Sequence, residues 1–214
     1  GEGKSTFMRT LGGASLPKFH AGSTFFIPAH LRVLHIPAEP MFFKGTLYGN
    51  LIFGCSHGDP DADRGRVRRI CERLTLPAHI VSLIELSDAD AASEDVHWHH
   101  NLSQTQRYLL CIGRALVANP EILVIHKPTG LLNEDATVAT LKLLREFVDK
   151  RGIEQEEGRM HMRRPRTCIF TTSTGDRREV DIADDIFRVT SRRGVEAVSR
   201  HRLSQLMLDV ESRN

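Results

Sequence analysis

The first six residues, GEGKST, carry groups suited to binding a phosphate. Gly1 and Gly3 leave neighbouring backbone N–H groups unobstructed, and Lys4 supplies a positive charge for the β- and γ-phosphate oxygens. The hydroxyl of Ser5 could ligate Mg²⁺, and Thr6 completes a match to the end of the pattern GxxxxGKS/T. A glycine turn that only opens a helix is the alternative, which the Lys-Ser-Thr identities disfavour. We therefore predict a phosphate-binding loop whose first glycine and preceding strand lie before residue 1.

The composition indicates one globular domain and argues against several classes of protein. The chain has 214 residues, of which 29 are Lys or Arg and 27 are Asp or Glu, so its formal charge is only +2. This balance does not favour a nucleic-acid partner. The four cysteines include no CxxC pair, so neither a disulfide framework nor a zinc site is indicated, and a reducing compartment fits best. No apolar run approaches the roughly 20 residues of a membrane span, and no secretory signal opens the chain.

The hydrophobic pattern predicts an α/β fold with a parallel sheet flanked by helices. Short apolar runs rich in β-branched residues predict buried strands at 30–37, 121–128 and 167–173. Apolar spacing and stop signals predict helices at 4–11, 64–74 and 134–150, and a further helix within 102–120 that Pro120 ends. The alternation of these elements positions the glycine-rich loop at the start of the first helix.

Two polar stretches are predicted to be loops. The first, 87–101, contains His97, His99 and His100 around Trp98. No carboxylate or thiolate stands at a spacing from these histidines that would support a metal site. The second, 151–166, is densely charged, so we expect it to be solvated and compatible with disorder.

Four segments occur in the order and spacing of one family, the nucleotide-binding domains of ABC transporters. LSQTQ at 102–106 resembles the signature LSGGQ, and ILVIHKPT at 122–129 resembles the ILLLDEPT strand. HIPAEPMFFKGTLYGNLIFG at 35–54 resembles the Q-loop segment of exporter-type members, and RTCIFTTST at 166–174 resembles the strand before the H-loop. The likeness spans nearly the whole chain. It implies a P-loop NTPase-like sheet, truncated within the Walker A loop, and a small helical subdomain at about 40–118.

The resemblance also indicates that no catalytic residue of the family is intact. Ala38 replaces the Q-loop glutamine, His126 the Walker B acid, Lys127 the catalytic glutamate and Ser173 the H-loop histidine. An imidazole is a poor ligand for Mg²⁺, and a protonated lysine cannot accept a proton from water. We expect ATP hydrolysis to be slow or absent, with Mg²⁺ held weakly through Ser5.

The signature is altered as well. Its residues here are Leu102, Ser103, Gln104, Thr105 and Gln106. In the family this motif caps the nucleotide of a partner domain, and its two glycines allow close approach to the γ-phosphate. Side chains at Gln104 and Thr105 are expected to obstruct that approach. The D-loop pattern SALD is also changed, to GLLN at 130–133.

The function implied by the resemblance is that of an ATP-binding domain that links nucleotide occupancy to transport. Its partners would be a second nucleotide-binding domain and transmembrane domains, in the same longer polypeptide, at the cytosolic face of a membrane. Phe42, Phe43 and Tyr48 are expected in the core of the helical region and at the groove for a transmembrane coupling helix. Two alternatives remain: a scaffold domain that binds no nucleotide, and a soluble ABC-type ATPase of DNA maintenance or translation. The segment at 40–54 argues against the second alternative.

Overall fold

The computed structural model describes residues 3–17, 22, 24–86, 98–172, 177–190 and 194–203. The strands in these ranges are β1 (Val33–Ile36), β2 (Ile122–His126), β3 (Thr167–Thr171), β4 (Phe187–Thr190) and β5 (Gly194–Ala197). The α-helices are α1 (Lys4–Leu11), α2 (Leu47–Leu51), α3 (Arg64–Arg73), α4 (Ala78–Val81), α5 (Gln104–Ala118), α6 (Glu134–Asp149) and α7 (Arg177–Asp181). Short 3-10 helices lie at Pro60–Ala62, Ser82–Glu85, Trp98–Asn101 and Glu157–Met162. The α/β class is confirmed. Over these ranges no helix has the length and apolar character to cross a membrane.

A three-stranded parallel sheet carries the fold, in the order β1-β2-β3. The middle residues of β2 are fully buried, as its unbroken apolar run predicts. In register, Ile36 pairs with Ile125, and His126 pairs with Thr171. The carboxyl ends of the strands therefore meet at one edge of the sheet, where open α/β folds bind ligands. β4 and β5 form a separate antiparallel pair.

Helix α1 begins and ends at glycines. Gly3 precedes it with φ 88°, a left-handed conformation that glycine adopts without strain. The helix ends at Leu11, so the stop predicted from Gly12 and Gly13 is confirmed. A Cβ atom on Gly12 would lie 2.4 Å from the Cβ of His35 in β1. Gly12 thus allows the end of α1 to pack closely against the sheet.

Helix α5 has a well-formed cap at each end. At its start the Ser103 hydroxyl accepts from the backbone N–H of Gln106, and the Gln106 side chain accepts from the backbone N–H of Ser103. At its end the buried guanidinium of Arg66, from α3, donates to the carbonyls of Leu116 and Val117 at 3.2 and 3.1 Å. These carbonyls belong to the last turn, which leaves them without partners inside the helix. Arg66 therefore joins α3 to α5.

The prediction that 151–166 is a solvated loop is wrong for 151–155, which pack against the fold, whereas most of 156–165 is exposed as predicted and forms a short 3-10 helix at Glu157–Met162. Gly152 and Ile153 are buried, and the Ile153 carbonyl accepts a hydrogen bond from Arg66 at 3.0 Å. Glu154 forms an ion pair with Arg73 of α3 at 2.8 Å. The charge of Glu154 is thus paired with α3 and is not free in solvent. The start of the segment therefore packs against α3.

The end of the other predicted loop is also packed. Trp98 is buried, its Nε1–H donates to the carbonyl of Gly45 at 2.9 Å, and its ring meets the edge of Phe42 at 5.2 Å. Trp98 is therefore a core residue, which its polar neighbours in the sequence did not indicate. Residues 87–97, including His97, lie outside the described residues.

Candidate functional site

The start of α1 lies near the carboxyl ends of the strands. α1 packs against β2, and the charge of Lys4 acts on the imidazole of His126 at the end of β2. Lys4 is half-buried in the first turn, while Ser5 and Thr6 are exposed. An α-helix N-terminus with a lysine beside it attracts phosphate through free N–H groups and charge. Gly1 lies outside the described residues.

One hydroxyl contacts both His126 and Lys127, at the end of β2. Thr171 Oγ1 lies 2.8 Å from His126 Nδ1 and accepts from the backbone N–H of Lys127 at 3.0 Å. Lys127 has φ 52°, an uncommon conformation for a residue other than glycine. The Tyr108 hydroxyl lies 3.2 Å from the His126 carbonyl oxygen and 3.4 Å from that of Lys127. These hydrogen bonds fix the backbone from which the Lys127 side chain extends into solvent.

The electrostatic surroundings keep two histidines neutral. Burial, and then the positive charges of Lys127 and Lys4, lower the pKa of His126 below its usual range. Burial, and then Arg9 and His126, lower the pKa of His35. Neither Lys4 nor Lys127 forms an ion pair with any of the described residues. Within the described ranges, the ammonium groups of Lys4 and Lys127 at this edge are therefore not paired with a carboxylate.

The signature is tied to the loop after β2. The hydroxyl of Thr105 donates to the carbonyl of Leu131 at 2.9 Å. A glycine at this position could not make that bond. In the same loop Thr129 hydrogen-bonds to the buried carboxylate of Glu179 in α7. Thr105 thus bonds within its own chain, to the loop after β2.

The structure brings together only part of the predicted site. Lys4, His126 and Lys127 meet at the carboxyl edge, and the signature residues 102–106 lie at the start of α5. Ala38 is exposed, two residues beyond β1. Ser173 lies outside the described residues.

Sequence reasoning missed two residues of this edge, Thr171 and His35. Thr171 looked like one more β-branched residue of a buried strand. Its role could have been found by pairing the predicted strands, because it ends β3 opposite His126 at the end of β2. For His35, only its place two residues before the end of the predicted strand could have indicated a position near the phosphate loop.

The described side chains do not fit the magnesium ion that a phosphate-binding loop implies. Mg²⁺ prefers carboxylate and other oxygen ligands, and Ser5 offers one hydroxyl. The end of β2 offers an imidazole and an ammonium instead. Nowhere in the described parts of the chain do three or more His, Cys, Asp and Glu side chains group so as to hold a metal. The donor set favours an anion over a divalent cation.

Comparison with known proteins gives relatives of one kind. No protein-family model matches the chain. The chain is 25% identical over 159 residues to the Fe(3+) ions import ATP-binding protein FbpC of Serratia marcescens, covering 69% of this chain and 42% of that protein. It is 30% identical over 117 residues to the ABC transporter BEA3 of Gibberella fujikuroi, covering 55% of this chain and 8% of that protein. The chain thus spans less than half the length of either relative.

Solved structures agree on the fold. An inward-facing structure of a putative metal-chelate type ABC transporter matches with a TM-score of 0.62 and 17% identity, over 97% of this chain and 75% of that one. The sheet, the flanking helices and the helix at the phosphate loop therefore have the P-loop NTPase-like arrangement of an ABC ATP-binding domain. The named relatives, import and other ABC transporter proteins, agree with this description.

Proposed function

We propose that this chain is an ATP-binding domain of an ABC transporter that responds to nucleotide occupancy but hydrolyses ATP poorly or not at all. The observation that carries the proposal is the unpaired cationic edge, where Lys4 at the start of α1 lies near His126 and Lys127. A triphosphate carries about four negative charges and would neutralise this edge. The named relatives support ATP as the ligand and transport as the process.

Slow hydrolysis follows from the chemistry at the end of β2. Phosphoryl transfer needs a group that orients the attacking water and a metal that neutralises developing charge. Lys127 is an ammonium with no lone pair to accept a proton, and His126 cannot replace a carboxylate beside Mg²⁺. We infer that ATP binding here depends little on Mg²⁺. At about 4 Å and an effective dielectric near 20, one Lys127–phosphate attraction is worth roughly 4 kcal/mol, much of it cancelled by desolvation.

The proposed partner surface lies beside α5. Met41 and Phe53 have 73% and 63% of their surface exposed, and the rings of Phe43 and Phe53 lie 5.1 Å apart. Arg114 donates to the Met41 carbonyl at 3.0 Å and lies near the Phe43 ring. Exposed aromatic residues beside an arginine are typical of protein interfaces. We propose that a coupling helix of a transmembrane domain docks here and that a second nucleotide-binding domain faces the signature.

The finer assignments are part of the same proposal. They are a single ABC-type domain over 1–214 with a helical subdomain at about 40–118, exporter type, truncation within the Walker A loop and a position at the cytosolic face of a membrane. The motif at 35–54 supports the exporter type. The short helices at 47–85, which all precede α5, support the subdomain.

Titration calorimetry with ATP, in excess EDTA and in millimolar Mg²⁺, tests the proposal on the 214-residue chain. We expect binding in both buffers with affinities within about tenfold. Lys4→Ala should weaken binding at least tenfold, a loss of about 1.4 kcal/mol. The matched control is Lys142→Ala, which removes an exposed lysine of α6. An affinity that falls a hundredfold or more without Mg²⁺ would contradict metal independence.

Phosphate release should be measured alongside. We expect a rate no higher than in buffer, and no rescue by Lys127→Glu alone because His126 remains. Clear turnover that Lys4→Ala abolishes would contradict the assignment of an inactive site.

A scaffold domain without nucleotide is the second candidate. The hydrogen bond from Thr105 to Leu131 favours it, because the altered signature is bonded within its own chain. An absence of ATP binding in both buffers would support the scaffold function.

A further inference from the structure

We infer that Thr171 is a positioning residue that fixes His126 as the Nε2–H tautomer, which makes this imidazole a hydrogen-bond donor to a phosphate oxygen rather than a metal ligand. The donor role rests on the proposed function, whereas the tautomer rests on hydrogen bonds within the chain. Thr171 thereby selects an anion over a cation at the position where the family has a carboxylate.

The tautomer follows from counting protons at one buried oxygen. Thr171 Oγ1 accepts from the backbone N–H of Lys127 at 3.0 Å and lies 2.8 Å from His126 Nδ1. A threonine hydroxyl has one proton to donate. In the described residues the only acceptor at hydrogen-bond distance from that hydroxyl is His126 Nδ1. If Nδ1 carried a proton instead, the Thr171 hydroxyl would accept twice, and its own proton would have no acceptor among the described residues, which is unfavourable for a buried group.

A neutral imidazole that accepts at Nδ1 carries its proton on Nε2. His126 is neutral near pH 7 because burial, Lys127 and Lys4 lower its pKa. Nε2 has no hydrogen-bond partner among the described residues and is not a buried unpaired atom. The N–H therefore reaches solvent on the side of the ring opposite Thr171.

The proton on Nε2 of His126 also explains why this position excludes a metal ion. A metal ligand must offer a lone pair, and in this tautomer the only lone pair of the ring is engaged by Thr171. Lys4 and Lys127, the cations whose charges act on His126, repel a metal ion as well. An anion meets the N–H and both ammonium groups without a change in protonation.

Nitrogen-15 NMR of the histidine side chains at pH 7.5, without nucleotide, tests the tautomer. The signal of His126 is assigned by its loss in His126→Asn. We expect Nδ1 to resonate as an unprotonated ring nitrogen and Nε2 as a protonated one. The opposite pattern in the unmodified chain would overturn the inference without any further variant.

Two substitutions separate positioning from mere packing. Thr171→Val keeps the shape and removes the hydroxyl, so the two ring nitrogens should shift towards the average of both tautomers. Thr171→Ser keeps the hydroxyl and should retain the original shifts. An unchanged tautomer in Thr171→Val would overturn the role of Thr171. Manganese(II) added without nucleotide should not selectively broaden the His126 signals, and selective broadening would contradict the exclusion of metal.

ATP in excess EDTA tests the donor role. Binding should shift the Nε2–H proton signal, and Thr171→Val should weaken affinity about three- to tenfold, the range of one hydrogen bond. An unshifted proton signal in the ATP complex would overturn the donor role. If ATP does not bind at all, the proposed function and the donor role both fail, while the tautomer measured without nucleotide still stands.

Discussion

The two edges of the parallel sheet differ in whether their charged side chains are paired. At the amino edge, the residue before each strand belongs to one network. Arg32 before β1 bonds to Glu121 before β2 through its backbone N–H at 2.9 Å, and Arg166 before β3 lies 3.8 Å from Glu121 and bonds to Asn119 at 3.0 Å. At the carboxyl edge, Lys4 forms no ion pair with any described residue. Paired charges connect segments of the fold at the amino edge, whereas Lys4 makes no such connection among the described residues.

The comparison also separates what is retained from what has changed. Among the described residues, the side chains of Arg32, Asn119, Glu121 and Arg166 at the amino edge have hydrogen-bond or ion-pair partners, which suits a scaffold. The carboxyl edge carries His126 and Lys127 at the end of β2, where the resemblance predicts acids. Under the proposed function the fold is kept while hydrolysis is lost, because the residues of the amino network are not those at the end of β2.

The largest expected loss of stability is for a substitution of Arg66, which lies towards the amino edge of the sheet. Arg66→Leu would leave the carbonyls of Leu116, Val117 and Ile153 without a donor in the interior. We expect a loss of about 3–5 kcal/mol in the free energy of unfolding, measured by urea denaturation. Arg68→Leu, on the exposed face of the same helix, is the control and should change stability by less than about 0.5 kcal/mol. Equal losses from both would refute the structural role of the amino side.

The contrast explains how far sequence reasoning could go. Strands such as ILVIH and helix α5 were predictable, because apolar runs and caps are local signals. The packing of 151–155 was not, because the partners of Ile153 and Glu154 are on α3, about eighty residues earlier. A charge that is paired over such a distance has the same sequence signature as one in solvent. At the candidate site, the sequence alone shows which residues stand at the positions of the family's motifs and that they are not carboxylates. The contact of Thr171 with His126 could be predicted only from the register of the strands.

A smaller loss of stability is expected for a substitution of Gly152, which tests whether 151–155 is part of the scaffold. Gly152 has φ 133°, and a Cβ there would lie 2.9 Å from Gln155 Cγ and 3.0 Å from the Asn119 side chain. Gly152→Ala should cost about 1–3 kcal/mol in thermal or urea unfolding. Gly158→Ala, in the exposed 3-10 helix with open space around it, is the matched control. A neutral Gly152→Ala would restore the interpretation of this segment as a solvated loop.

The smallest expected effect is a pH dependence of stability that arises at the carboxyl edge. Because the folded state lowers the pKa of His126 and His35, the unfolded chain binds more protons near pH 6. Their contribution is therefore fully present above pH 6.5 and is lost as the pH falls towards the lowered values. The urea midpoint should decrease between pH 7.5 and pH 5.5, and less steeply in His126→Asn. The charged groups that face the two rings are Lys4, Lys127 and Arg9. An identical slope in the variant would place the acid sensitivity elsewhere.

The packing of Trp98 gives the molecule an optical property. It is the only tryptophan of the chain, it lies against Phe42, and its indole N–H bonds to Gly45. All of the indole emission therefore originates beside the Met41 and Phe53 surface, far along the chain from the phosphate loop. The fluorescence of Trp98 therefore reports on the proposed partner surface, and binding of a partner there can be followed without a label. A change in this fluorescence on adding ATP would show that the phosphate loop and the proposed partner surface are coupled.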